Sequence, residues 1–262
     1  MTKAAVLITG ASSGIGATYA DRFARRGHDL VLVARDEGRM TALAAGLREE
    51  TGVAIDILPA DLAINADLAA VEARLRDDPR IGVLVNNAGV ALAGTFETQP
   101  EDQVARLVAV NTTAVLRLVR AVAPRFVAEG SGAIVNIGSV VGLLPEFGQT
   151  VYGATKAFVH FLSQGLAFEL GPKGVYVQAV LPAATATEIW SRAGADPADL
   201  PPMMEVGALV DAALDGYDRR EPVTIPALHD GALWDAFDSA RLAMMPGFAE
   251  SIPAPRYRGE AR

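Results

Sequence analysis

The chain has 262 residues, 31 acidic against 23 basic side chains (net charge −8), no cysteine and a hydrophobic fraction of 51%. The charge opposes the field that nucleic-acid phosphates or anionic lipids require, so neither a nucleic-acid nor a membrane partner is expected. The missing thiols exclude disulfides and thiolate chemistry, and three scattered histidines (His28, His160, His229) offer no ligand spacing, so no metal site is expected. The apolar content predicts a globular chain with a large core. Its first apolar run, Ala4–Ile8, is too short for a secretory segment and no later run reads as membrane-spanning, which makes the cytoplasm the expected compartment.

In chain order, β-rich runs are predicted at Ala5–Thr9, Leu30–Ala34, Val53–Leu58, Val83–Asn86, Ala133–Ile137, Val175–Leu181 and Val223–Ile225, each but the last followed by a helix-length segment. Asp36 and Pro100 stand where helices should start, Gly130 and Gly171-Pro172 where they should stop. The runs are continuously apolar rather than alternating, as strands covered on both faces are. The expected fold is α/β: a doubly wound, Rossmann-like parallel sheet of seven strands with helices on both faces. A single domain, 1–262, is expected, with an Ala/Pro/Met-rich substrate-loop excursion at about 183–205 and a C-terminal tail at about 226–262.

The first strand runs into Thr9-Gly10-Ala11-Ser12-Ser13-Gly14-Ile15-Gly16, whose glycines let a pyrophosphate approach the backbone while a helix N-terminus meets its charge. Alone, such a loop is also read as a turn packing strand on helix. The spacing, with its leading threonine, resembles that of the short-chain dehydrogenase/reductase family, and the resemblance continues in register to at least Thr187. It implies adenine contact by Asp61 with Leu62 beside it, and a ribose-lining segment at Asn86-Asn87-Ala88-Gly89. Arg35 ends the second strand where NAD enzymes place an acid; a guanidinium there clamps a 2′-phosphate, so NADP(H) is expected in preference to NAD(H). Asp36 and Glu37 work against this preference, while Arg39, Ser12 and Ser13 support it.

Tyr152 and Lys156 lie four apart at the start of a long apolar helix and so share a face. A phenol has a pKa of about 10; an ammonium at roughly 4 Å, with an effective dielectric near 20, supplies ~4 kcal/mol, enough to lower it by two to three units. Tyr152 is therefore the expected general acid/base. Ser139, at the carboxyl end of the fifth strand, is placed to hydrogen-bond the substrate oxygen. The resemblance adds Asn111 as a fourth catalytic residue holding a water near Lys156, although Asn111 also reads as a helix N-cap before Thr112-Thr113. It further makes Pro182 and Thr187 coenzyme contacts, Thr187 at the nicotinamide carboxamide; Ala183 stands where the family usually has glycine.

Val141, Leu143, Leu144, Phe147, Trp190, Met203 and Met204 are either substrate wall or core, and with no basic cluster among them the expected substrate is an apolar carbonyl compound or alcohol. The expected activity is NADP(H)-dependent hydride transfer between the nicotinamide and a carbonyl or secondary alcohol. A 3-oxoacyl-carrier-protein reductase shares every motif but typically ends in a short glycine-rich segment, unlike this chain's Trp234- and Met-containing tail. A catalytically silent NADP(H)-binding sensor is the alternative from another class. Apolar residues around most of the helices Asn111–Val127 and Tyr152–Leu170 predict a homodimer or homotetramer.

Overall fold

The computed structural model describes residues 3–194 and 202–258. Parts of the expected excursion and the last residues of the tail lie outside the described residues. The chain divides into two compact units, Met1–Ala227 and Leu228–Arg262.

The first unit holds a seven-stranded parallel sheet: β1 (Ala5–Thr9), β2 (Leu30–Ala34), β3 (Ile55–Pro59), β4 (Ile81–Asn86), β5 (Gly132–Ile137), β6 (Val175–Val180) and β7 (Val223–Thr224), in the order β3-β2-β1-β4-β5-β6-β7. Every predicted strand is present, with ends shifted by a residue or two. Helices α1 (Gly14–Arg25), α2 (Glu37–Thr51), α3 (Asn65–Asp77), α4 (Glu101–Val108), α5 (Val115–Glu129), α6 (Thr150–Leu170), α7 (Ile189–Arg192) and α8 (Val206–Asp218) make the crossovers and flank the sheet.

β1 shows why these strands read as unbroken apolar runs. Val6 and Ile8 enter one buried cluster with Phe23, Met40 and Leu209, while Ala5 and Leu7 enter the opposite one with Leu75, Leu118 and Phe126. Alternate side chains thus serve two cores, and burying each Leu or Val contributes about 1.5–3 kcal/mol. Because β1 lies between β2 and β4, the winding reverses there and opens a crevice at the carboxyl ends of β1 and β4, which is where open α/β sheets bind ligands.

Expected caps are realised at Asp36, whose carboxylate accepts the Arg39 N–H at 2.9 Å, and at left-handed Gly130. The helix expected from Asn111 instead runs from Glu101 to Glu129 without a break, passing through a π-helical turn at Ala109–Ala114. Asn111 is therefore inside a helix and not its N-cap. By length and composition this helix is apolar enough to cross a membrane, contrary to expectation. Leu107, Leu118, Val122 and Phe126 nevertheless bury its inner side in the core. Val115, Leu118, Val122 and Phe126 thus face inward, and it is α6 that carries an outward apolar stripe, Phe158, Phe161 and Phe168.

The second unit contains α9 (Gly231–Ala243), capped by Asp230 accepting from Ala232 N–H at 3.0 Å. Trp234 and Phe237 stack loosely at 5.5 Å between ring centroids. Leu233, Met245 and Phe248 are largely exposed.

Candidate active site

The loop from β1 to α1 is locked to the loop after β4 by one threonine. The Thr9 hydroxyl oxygen accepts the backbone N–H groups of Asn87 and Ala88, both at 3.0 Å, while the Asn87 side-chain amide donates to the Thr9 and Gly10 carbonyls at 2.9 and 3.3 Å. Sequence reasoning noted Thr9 only as part of a spacing; its bonding role becomes visible once β1 and β4 are neighbours. The glycines are dictated by this closeness. Gly10 has φ +65°, and a Cβ there would stand 2.9 Å from the Ala88 Cα; one on Gly16 would stand 2.3 Å from the Gly10 carbonyl oxygen.

At the end of this loop Ser13 takes the N-cap position of α1 without capping it through its side chain, which leaves first-turn N–H groups for an anion. Ile15 packs against the first core cluster and Leu62 is buried in the second. Gly14 (φ +52°) faces the Thr187 methyl, to which a Cβ would come within 3.2 Å, so the loop after β6 and the glycine loop meet. Ala183, where a glycine was expected, needs no left-handed backbone: among the described residues Arg220 is the only non-glycine with positive φ. Pro182 is buried and its carbonyl accepts from Val140 N–H at 3.0 Å and from the Ser139 hydroxyl at 3.3 Å.

Ser139, Tyr152, Lys156 and Asn111 come together at the carboxyl ends of β4 and β5. A tight loop brings Ser139 against α6: a Cβ at Gly142 would touch the Lys156 and Ala157 backbone at 2.6 Å, and one at Gly153 the Val141 carbonyl at 3.1 Å. The Tyr152 phenol lies beside Ser139, whose hydroxyl oxygen accepts from Val141 N–H at 3.2 Å. Lys156 is buried, donates to the Ile137 carbonyl at 2.8 Å and lies 5.6 Å from the Tyr152 ring centroid. Asn111, also buried, grips the loop after β4. Its amide donates to the Val90 carbonyl at 2.9 Å and to the Thr155 hydroxyl at 3.2 Å, and its oxygen accepts Val90 N–H at 2.9 Å. Gly89 lies against both the Asn111 oxygen and the Lys156 amine, so the pair shares one small space.

The electrostatics differ from the expectation. Tyr152 keeps some accessible surface, and burial of the phenol pushes it up to about 12 against the opposing pull of Ser139. Burial likewise pulls Lys156 down to about 8. Burial is the larger influence on the phenol and Ser139 the smaller, so the protein's own groups leave Tyr152 protonated at neutral pH.

Asp61 is held below the usual carboxylate range although burial opposes this, because Arg106 and the Ala63 N–H bond its oxygens and Arg35 adds positive potential. Arg106 was missed, since nothing in the sequence spacing pairs 61 with 106. Arg35 is exposed at the end of β2 and makes no hydrogen bond or ion pair among the described residues. Arg39 is taken: its guanidinium bonds both Glu188 oxygens at 3.0 and 2.8 Å and lies 3.4 Å from Asp36. Of the apolar candidates, Met204 joins a core cluster, whereas Leu144, Phe147 and Met203 are exposed. Val141, Leu143 and Trp190 are half-buried, with the Trp190 indole N–H on the Thr185 carbonyl at 2.8 Å. The excursion is pinned at its base by Met204 N–H on the Ala184 carbonyl (2.9 Å) and Ala186 N–H on the Met204 carbonyl (3.0 Å).

The chain is similar to known proteins. Residues 4–198 match the sequence signature described as short chain dehydrogenase. A short-chain dehydrogenase from Sphingobium yanoikuyae, solved in complex with NADPH, is 66% identical with a TM-score of 0.95, over 97% of this chain and all of that one. A bulky-bulky ketone specific alcohol dehydrogenase from Comamonas testosteroni is 58% identical with a TM-score of 0.92, over 98% of this chain and all of that one. The very-long-chain 3-oxoacyl-CoA reductase-A of Danio rerio is 36% identical over 194 residues, 70% of this chain and 58% of that protein, so the chain spans under two thirds of that relative's length. The chain therefore belongs to the short-chain dehydrogenase family, a class of oxidoreductases acting on alcohol and carbonyl groups.

Proposed function

We propose that the chain is an NADP(H)-dependent oxidoreductase that interconverts bulky, apolar ketones and their secondary alcohols. One observation carries the reading: Tyr152, Ser139 and Lys156 lie together by the loop after β4, which is bonded to the glycine loop at the sheet's switch point. The residues fit a nicotinamide dinucleotide, because the glycines leave the space a Cβ would fill and the N-terminus of α1 has no side-chain cap. Gly10, Ser12, Ser13, Gly14, Ile15 and Gly16 would hold the pyrophosphate, Asp61, Leu62, Asn87, Ala88 and Gly89 the adenosine half, and Pro182 and Thr187 the nicotinamide end. When bound, the coenzyme supplies the hydride in reduction and accepts it in oxidation.

In reduction, Ser139 donates a hydrogen bond to the carbonyl oxygen and Tyr152 delivers the proton that makes it a hydroxyl; in oxidation Tyr152 takes that proton back. Lys156, with Asn111 across Gly89 from it, supplies positive charge and a route for replacing the proton. The exposed Leu144, Phe147 and Met203, together with Val141 and Trp190, form an apolar wall suited to a large substrate, and the similarity to the Comamonas testosteroni enzyme supports that class.

Arg35 favours the 2′-phosphate, since it alone of the two nearby arginines has no carboxylate bound to it. The similarity to the NADPH-bound Sphingobium yanoikuyae enzyme supports the same coenzyme. The outward stripe on α6 suits a homodimer or homotetramer, and the cytoplasm remains the proposed compartment, with the sheet unit as catalytic domain and the region from about 226 as appendage. Steady-state kinetics with NADPH and NADH on a panel of diaryl and branched ketones tests the reading. NADPH-dependent turnover that falls with Arg35→Ala is expected; higher kcat/KM with NADH, or turnover confined to small or charged carbonyls, overturns it.

A further inference from the structure

Asp61 is held by Asp67, Ala63 and Arg106. Its N–H donates to the Asp67 carboxylate at 2.8 Å, and its Oδ1 accepts the Ala63 N–H at 3.0 Å. One guanidinium nitrogen of Arg106 straddles the carboxylate, 3.0 Å from Oδ1 and 2.7 Å from Oδ2. A carboxylate offers about four acceptor positions. Three are filled, so one acceptor position is left, on Oδ2.

The helix that carries Arg106 also shapes this arrangement. Five residues apart, Arg106 and Asn111 would point well away from each other on a regular α-helix. Arg106 precedes the π turn at Ala109–Ala114 and Asn111 lies within it. Arg106 reaches the loop after β3 and Asn111 the loop after β4.

Resting on the coenzyme reading above, we propose that Arg106 is a positioning residue for the adenosine half of the coenzyme: it fixes the Asp61 carboxylate so that the remaining Oδ2 acceptor faces the exocyclic amine of adenine. The pair is partly exposed, with Arg106 at 37% and Asp61 at 20%, so its worth to overall stability is small and its effect is on orientation.

Calorimetric binding of three probes to the purified protein tests this: NADPH, 2′-phospho-ADP-ribose, and reduced nicotinamide mononucleotide, which lacks adenosine. Arg106→Gln weakens the first two about five- to tenfold, the size of one charge-assisted hydrogen bond, and leaves the third within twofold of wild type. Arg106→Lys, which keeps the charge, loses less, and Arg106→Gln combined with Asp61→Asn binds no worse than Asp61→Asn alone. At saturating NADPH, kcat of Arg106→Gln stays within twofold of wild type. Unchanged adenosine-probe affinity in Arg106→Gln while Asp61→Asn weakens it overturns the role of Arg106 alone. Loss of all three probes together also overturns it, by showing general damage. If Asp61→Asn itself leaves every affinity unchanged, it is the adenine contact, and with it this part of the coenzyme reading, that fails.

Discussion

The proposed coenzyme side and the proposed substrate side of the crevice are built on opposite principles. Around Thr9, Gly10, Gly16 and Asn87 the backbone is bonded to itself across β1 and β4, and two glycines have no room for even a methyl group. Around Leu144, Phe147 and Met203 the side chains stand exposed and no buried polar bonds fix them. A pyrophosphate is invariant and rewards a rigid cradle, whereas a substrate pocket is tuned by side chains that cost little to exchange. Tyr152, Ser139 and Lys156 lie where the two meet, packed like the first region and facing the second.

The comparison breaks first at the junction. Tyr152→Phe removes the only proton carried to the substrate oxygen and should lower kcat by about 10²- to 10⁴-fold while calorimetry still shows coenzyme binding. Retained turnover would place the proton donor elsewhere. A smaller but sharper effect is expected for Lys156→Met. The folded-state pKa of Lys156 is lowered from 10.5 to about 8, so its buried ammonium costs stability. That cost is fully present below about pH 8 and vanishes as pH rises past the unfolded value. The variant should therefore lose activity yet gain on the order of 2 kcal/mol at pH 7 and little at pH 10.5, the lost bond to Ile137 taking back part of the gain. Denaturant melts at both pH values check this, and equal gains at both would refute the burial argument.

Within the coenzyme side, Gly16→Ala sets a Cβ against the Gly10 carbonyl, a backbone atom that cannot rotate away. A loss of about 1–3 kcal/mol in unfolding free energy and a weaker coenzyme dissociation constant are expected. On the substrate side, Phe147→Ala should change unfolding free energy by no more than about 0.5 kcal/mol, as exposed positions do, while shifting KM for bulky relative to small ketones. If the two variants destabilised equally, the contrast between the regions would dissolve.

The pH profiles sharpen the junction further. With Tyr152 held up to about 12, the donor form prevails at neutral pH, so ketone reduction should not decline until well into the alkaline range. Alcohol oxidation, which needs the phenolate, should climb with pH across the same range. A neutral-pH plateau for oxidation in initial-rate measurements would mean that the phenol is acidified far more strongly than its protein surroundings provide.

Local chemistry by itself determined a good deal. Continuous apolar runs located all seven strands, the glycine spacing located the tight loop between β1 and α1, and a four-residue step put Tyr152 and Lys156 on one face, because each of these depends on neighbours in the chain. Tertiary structure decided what depends on distant pairs. Thr9 became a clamp only when β1 met β4, Arg39 was captured by Glu188 from the loop after β6, and Asp61 acquired Arg106 from α4. At Tyr152 burial pushes the phenol up, opposite to what the four-residue spacing to Lys156 suggested. Desolvation is a property of everything packed around a group, and spacing along the chain carries no measure of it.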